Sequence, residues 1–117
     1  DSVLCHYDFH PENVMLTESG PIIIDWMNTV TGDPAGDVAR TWVILSQAGS
    51  GGIPVSQEEF KAFQARMAEE YLARYLEAGY LSREAIERWI LPVAAARLAE
   101  RISSEEDNLL RLIQSLL

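Results

Sequence analysis

The sequence predicts a mostly helical α+β domain with one short β-hairpin, and two observations carry that reading. Apolar residues change spacing once along the chain. From Asp33 onward they recur every three or four residues, as on a buried helix face. Before it, two apolar runs, Asn13 to Leu16 and Pro21 to Asp25, flank the turn-rich tetrapeptide Thr17-Glu18-Ser19-Gly20, the pattern of a hairpin. With 117 residues and 48% apolar content, the chain has enough material for one folded domain. That single domain, 1–117, divides into an extended part, 1–33, and a helical part, 34–117.

The helical elements follow in order. Asp33 is placed to cap a first helix, Pro34 suits its first position, Gly49 ends it, and Val38, Ala39, Trp42 and Leu45 form its inward stripe. After the aperiodic stretch Ser50 to Val55, Ser56 with Glu59 makes a capping box for a long second helix that stops at Gly79. Its predicted inner face is Phe60, Phe63, Met67, Tyr71 and Tyr75. A third helix begins near Ser82, with Ile86, Ile90, Val93, Leu98 and Ile102 inward and a kink or break expected at Pro92. A fourth follows Ser103 or Ser104, with Leu109, Leu112, Ile113 and Leu116 on one side.

Composition narrows function. The formal charge of −9 disfavours nucleic acid and anionic lipid as partners. No apolar run reaches the roughly 20 residues of a membrane span, and the N-terminus carries no basic-then-apolar leader pattern, so a cytoplasmic location is expected. The lone cysteine, Cys5, has no intramolecular disulfide partner and reads as a packing residue. Gly49, Gly51 and Gly52 are not followed by the Gly-Lys-Ser/Thr of a phosphate cradle, so they read as a flexible connection. The acids Glu69, Glu70, Glu77, Glu100, Glu105, Glu106 and Asp107 read as a solvated helix surface before they read as a cation site; Glu70 and Arg74 have the spacing of a surface pair.

Chemistry concentrates in LCHYDFHPENVML, residues 4 to 16. His6, Asp8 and His10 alternate and would share one strand face as zinc ligands do, but Pro11 breaks such a strand and no further His exists in the chain to complete a nitrogen-rich site. In a second reading His6 and His10 are satisfied loop histidines and the carboxylates are solvated. A third reading pairs this run with Ile22-Ile23-Ile24-Asp25-Trp26. There a carboxylate ends a strand expected to be buried, which is costly unless a cation meets it. Asn13, at the start of the other strand, offers a neutral oxygen to the same ion. Magnesium suits such ligands and keeps water and phosphate in its remaining positions. Asp8 is then free to take a proton from a hydroxyl, which is the arrangement of phosphoryl transfer.

His6-Tyr7-Asp8-Phe9-His10-Pro11-Glu12-Asn13, then Ile22-Ile23-Ile24-Asp25-Trp26, then Gly32-Asp33-Pro34 with Asp37, resembles the aminoglycoside phosphotransferase and choline kinase family, relatives of the protein kinases. The resemblance is strong over roughly the first 45 residues and general beyond. It implies the C-terminal lobe of a protein-kinase-like fold, with 1–33 holding the catalytic loop and the metal-binding hairpin. It implies Asp8 as the catalytic aspartate, Asn13 and Asp25 as ligands of Mg²⁺ with ATP or GTP, and His6 as a scaffold residue. His10 is then a contact to the cofactor's phosphate or a support of the loop, with support favoured. Asp37 is the aspartate that steadies loop backbone donors, or an ordinary first-turn acid favoured by the helix dipole.

Tyr7 stands where many relatives have glycine, and Trp26-Met27 replace the Phe-Gly of protein kinases. The glycine-rich loop, the strand lysine and the helix glutamate of the family's nucleotide-binding lobe do not precede the motif, so the chain is expected to be a C-lobe fragment, inactive alone, with exposed apolar surface open to self-association. The implied activity is O-phosphorylation of a small hydroxyl substrate, aminoglycoside-like or amino-alcohol, whose cationic form would suit the acidic chain. The alternative is a non-catalytic binding module built on a kinase-like C-lobe.

Overall fold

A computed structural model describes residues 2–117. Strand β1 spans Val3–Cys5, β2 Val14–Thr17, β3 Gly20–Ile23 and β4 Val30–Gly32. Helices α1 Pro34–Gln47, α2 Gln57–Glu77, α3 Arg83–Leu98 and α4 Glu106–Leu116 follow. The predicted hairpin is β2 with β3, antiparallel, from Val14 opposite Ile23 to Thr17 opposite Gly20. A second ladder was not anticipated: β1 pairs antiparallel with β4, Val3 opposite Gly32 and Cys5 opposite Val30. That pairing closes the whole excursion from His6 to Thr29 at its base. Its strands, VLC and VTG, are too short to carry an alternating pattern.

Helix α1 is the centre of the molecule, packed against both α2 and α3, while α4 packs on α3. Asp33 caps it as expected, its Oδ1 accepting from the Ala35 amide at 2.9 Å, while its Oδ2 accepts from the Trp89 indole at 3.1 Å and so ties α1 to α3. Because neighbours surround α1, burial extends past the predicted stripe. Val38 and Ala39 are buried, but so are Thr41, Val43 and Ile44, and Trp42 and Leu45 are only partly covered. Ile86 from α3, Leu72 from α2 and Leu109 from α4 complete the core. Each such side chain withdrawn from water contributes about 1.5 to 3 kcal/mol of transfer free energy.

The face of α2 is turned relative to the prediction. Gln64, Ala68 and Leu72 point inward; Phe60, Met67, Tyr71 and Tyr75 flank them, and Phe63 is exposed. Gln64 explains the rotation. Its Nε2 donates to the Leu45 and Ala48 carbonyls at 3.3 and 2.6 Å, supplying a partner to the otherwise open end of α1. An amide at that position reads as surface in a sequence, and here it is 7% exposed.

The caps at Ser56 and Ser82 form as expected, each hydroxyl accepting from the amide three residues on. Past α2, Gly79 holds φ at 81°, a left-handed value that costs glycine nothing. Helix α1 ends at Gln47, and Gly49 serves a close approach: a Cβ there would lie 2.7 Å from the Ser104 Cβ. Pro92 neither breaks nor divides α3, which runs through it. Pro92 is on the exposed side of the helix, where the carbonyl four residues back can bond water. Helix α4 starts one or two residues later than expected, with Glu105 rather than a serine at its N-cap.

The isoleucine strand is the largest departure. Ile22 and Ile23 are 49% and 41% exposed, and Met15, opposite Ile22, and its neighbour Leu16 are also open, because nothing in the described residues covers the two-stranded hairpin. Among the described residues, no helix is long and apolar enough to cross a membrane.

Candidate active site

The loop between β1 and β2 is built by backbone capture from two sides. Asp37, in the first turn of α1, accepts from the His6 amide at 3.1 Å with Oδ2 and from the Tyr7 amide at 2.9 Å with Oδ1. Those two bonds choose between the alternatives for Asp37, since a first-turn acid serving the helix dipole alone would not reach a loop some thirty residues earlier. The bonds span a strained point. Tyr7 has φ of 68°, in the left-handed region, where a side chain costs about 1 to 2 kcal/mol. Tyrosine thus holds here a backbone conformation that favours glycine.

His6 is buried, 5% exposed, and both ring nitrogens are occupied. Nδ1 accepts from the Asp8 amide at 3.1 Å, which fixes the tautomer with hydrogen on Nε2, and Nε2 donates to the Ile24 carbonyl at 2.8 Å. The ring therefore joins the loop to the residue before Asp25, packing on Trp26 with centroids 4.6 Å apart. A zinc ligand needs a free ring nitrogen, so His6 is excluded from a metal cluster. Among the described residues, no three His, Cys, Asp or Glu side chains are grouped to hold an ion.

Asn13 is drawn in from the 3₁₀ turn Pro11–Asn13 and is 7% exposed. Its Nδ2 donates to the Asp8 carbonyl at 2.7 Å and, more weakly, to Asp8 Oδ2 and His10 Nε2, both at 3.3 Å. With the amide nitrogen committed to the loop, Oδ1 is left as the acceptor for a cation. The Asn13 carbonyl accepts from the Ile24 amide at 2.9 Å, continuing the β2–β3 ladder by one step. Asn13 and Asp25 therefore emerge at the same end of the hairpin. Asp25, exposed and at φ of 60°, makes no hydrogen bond with its carboxylate among the described residues. Two hard oxygen donors and no soft ones fit magnesium carried on a nucleotide's phosphates.

Asp8 keeps 19% of its side chain open to solvent, with His10 Nε2 at 3.6 Å and Arg40 at 3.7 Å from Oδ1. His10 thus supports the loop through Asn13 and Asp8. The structure brings together Asp8, His10 and Asn13 by direct contact and His6 and Asp37 through the backbone, and it puts Asp25 alongside at the hairpin end. Cys5, beneath this loop, is 1% exposed, and burial followed by the Asp37 charge pushes its thiol up, so it packs as expected.

Residues 1–86 match the family model described as the phosphotransferase enzyme family, APH. This chain belongs to that family. Comparison with curated proteins and with solved structures returned no match. Within this phosphotransferase-family chain, sequence reasoning missed the cations behind the loop. Arg40 donates from Nε to the Tyr7 carbonyl at 2.6 Å and from NH1 to Glu100 at 3.1 Å. Arg97 holds Glu105 in a buried two-bond pair at 2.9 and 2.8 Å and lies 3.5 Å from Glu100. Glu105 is 3% exposed, so it leaves the solvated acidic surface to which its spacing assigned it, while Glu100 stays at that surface with its carboxylate engaged by Arg40 and Arg97. No pattern signals these pairs, whose members lie up to 60 residues apart.

A broad groove of 1180 Å³ opens beside the loop, lined among others by Phe9, His10, Thr41, Met67 and Tyr71. It exceeds the roughly 300 to 1,000 Å³ of small-ligand pockets. Burial pushes the Tyr71 phenol up to about 12, so Tyr71 faces the groove as a neutral ring at physiological pH.

Proposed function

We propose that this chain is the catalytic-lobe part of an ATP- or GTP-dependent small-molecule O-phosphotransferase, arranged as the C-terminal lobe of a protein-kinase-like fold. The single observation that carries the reading is the binding of Asn13 Nδ2 to the Asp8 carbonyl and carboxylate, in a loop whose preceding two amides are held by Asp37. That network holds a partly exposed carboxylate and a free amide oxygen a short step apart, and phosphoryl transfer depends on such positioning more than on covalent participation.

In this reading Asp8 accepts or orients the proton of the attacking hydroxyl. Asn13 Oδ1 and Asp25 hold magnesium, which when bound supplies charge neutralisation to the phosphates. His6 sets the spacing between loop and hairpin through its two hydrogen bonds. A hydroxyl compound bearing a cation, such as an aminoglycoside or an amino alcohol, suits the chain's net charge of −9.

The test is radiolabelled phosphate transfer from ATP and GTP to a panel of aminoglycosides, choline-like alcohols and sugars, by the protein expressed from its own gene. Asp8→Asn keeps shape and removes the proton acceptor, so turnover falls while nucleotide affinity persists. Asp25→Asn weakens Mg-nucleotide binding as well as turnover. Full activity of Asp8→Asn would sink the assignment.

A further inference from the structure

We propose that Arg40 is a positioning residue for the catalytic aspartate, acting from α1 on both the backbone and the carboxylate of the loop; the inference rests on the reading of Asp8 given above. Arg40 lies outside the three motifs, and its side chain is only 12% exposed. Its guanidinium makes four separate contacts. Nε donates to the Tyr7 carbonyl at 2.6 Å, NH1 and NH2 take the two oxygens of Glu100 at 3.1 and 3.4 Å, NH2 lies 3.7 Å from Asp8 Oδ1, and Cζ stands 5.7 Å from the Tyr7 ring centroid.

Tyr7 is the residue that needs holding. Its left-handed backbone is unfavourable for a tyrosine, and the chain relaxes from it unless both neighbouring peptides are fixed. Asp37 fixes the peptide before Tyr7 through its amide, and Arg40 fixes the one after through its carbonyl, which is the peptide that carries the Asp8 nitrogen. The same guanidinium then faces Oδ1 of Asp8 while Asn13 Nδ2 faces Oδ2. A guanidinium 3.7 Å from one oxygen and an amide 3.3 Å from the other together bias the side-chain torsion of the carboxylate. Glu100 holds the guanidinium in plane and is itself held by Arg97, so the aim of Arg40 is fixed by the turn after α3. A lysine could offer charge to Asp8, but it lacks the fork that bonds Tyr7 and Glu100 together.

Two measurements test this. In phosphoryl transfer by the protein expressed from its own gene, Arg40→Gln should lower kcat by about tenfold to a hundredfold, the scale of a misplaced reacting group, and leave KM for the nucleotide nearly unchanged. Arg40→Lys should recover part of that loss, and Arg74→Gln, which removes an exposed charge of the same sign from α2, should lose nothing. In the 117-residue chain, side-chain scalar couplings read the Asp8 torsion: one rotamer in the parent, averaged rotamers in Arg40→Gln, with the remaining core resonances unmoved. Unchanged kcat in Arg40→Gln beside an inactive Asp8→Asn would overturn the inference and leave the proposed function standing. A single fixed Asp8 rotamer in Arg40→Gln would overturn it whether or not transfer is measurable. Full activity of Asp8→Asn would instead remove the reading on which it rests.

Discussion

Replacing Asp37 separates an anchor of the loop from an ordinary helix-start acid. If its carboxylate served only the dipole of α1, Asp37→Asn would cost about 0.3 to 1 kcal/mol, the usual worth of a first-turn charge. The structure demands more. Oδ1 and Oδ2 each take a backbone amide, from Tyr7 and His6, at 2.9 and 3.1 Å. Hydrogen bonds to a charged acceptor are worth about 1.5 to 3 kcal/mol each. Asparagine keeps one acceptor and turns an N–H toward an N–H, so one bond is lost and the other weakened, for about 1.5 to 3 kcal/mol. Alanine loses both, and because the site is only partly buried water recovers some of that, leaving about 2 to 4 kcal/mol. With a urea dependence of about 1 to 3 kcal/mol per molar, Asp37→Asn should lower the unfolding midpoint by about 1 M. Amide exchange gives the local readout: His6 and Tyr7 should lose protection in both variants beyond the global change. A midpoint drop below about 0.3 M in Asp37→Asn, with both amides protected as before, would refute the anchoring role.

Other expectations follow from the same coordinates. Arg97→Met should destabilise by about 3 to 5 kcal/mol in a denaturant titration, because it strands Glu105, 3% exposed, without its counter-ion. Trp42 Nε1 is buried with no hydrogen-bond partner among the described residues, so Trp42→Phe should cost less than Trp42→Ala, which loses about 3 kcal/mol; equal losses would show that the indole nitrogen is satisfied. The raised Tyr71 phenol contributes stability that is complete below its unfolded value near 10 and lost as pH rises toward about 12, so unfolding midpoints should fall over that window and fall less in Tyr71→Phe. Magnesium alone should perturb the amides around Asn13 and Asp25 weakly in an NMR titration; perturbation elsewhere with both silent would reject them as ligands. Sedimentation should show concentration-dependent self-association that Leu16→Lys, at 84% exposure, reduces.

What was legible in the sequence was local. Ser56, Ser82 and Asp33 announce their helices because capping acts over two or three residues. Asp8 and Asn13 stand out as a pair five residues apart, although the hydrogen bond between them was not anticipated. Long-range partners left no such trace. Gln64 is absent from the expected inner face of α2 because a sequence does not show which carbonyls need a donor, and its inward position turns that face. Arg40, Glu100, Arg97 and Glu105 share one network built from three separate stretches, each unremarkable by pattern.

The exposed isoleucines follow from a different physical cause. Three consecutive β-branched residues ending in an acid promise a buried strand, because leaving such a run in water forfeits roughly 1.5 to 3 kcal/mol per side chain. An antiparallel hairpin pairs backbone groups across its ladder, however, and here the ladder is formed with its face uncovered, tied to the rest of the chain at its Ile24 end. Here the ladder supplies the placement of Asn13 beside Asp25 while Ile22, Ile23, Met15 and Leu16 remain open. Burial and geometry are thus separable at this site. The hydrogen bonds of His6 to Ile24 and of Ile24 to Asn13 hold the Asn13–Asp25 end of the hairpin while the apolar side chains stay open. A His6→Ala substitution should therefore loosen that end more than Ile22→Ala does, though isoleucine is the larger apolar loss. Amide exchange at Ile24 distinguishes the two, and greater exposure of Ile24 in Ile22→Ala would show that side-chain packing, not the His6 bridge, sets the geometry of the site.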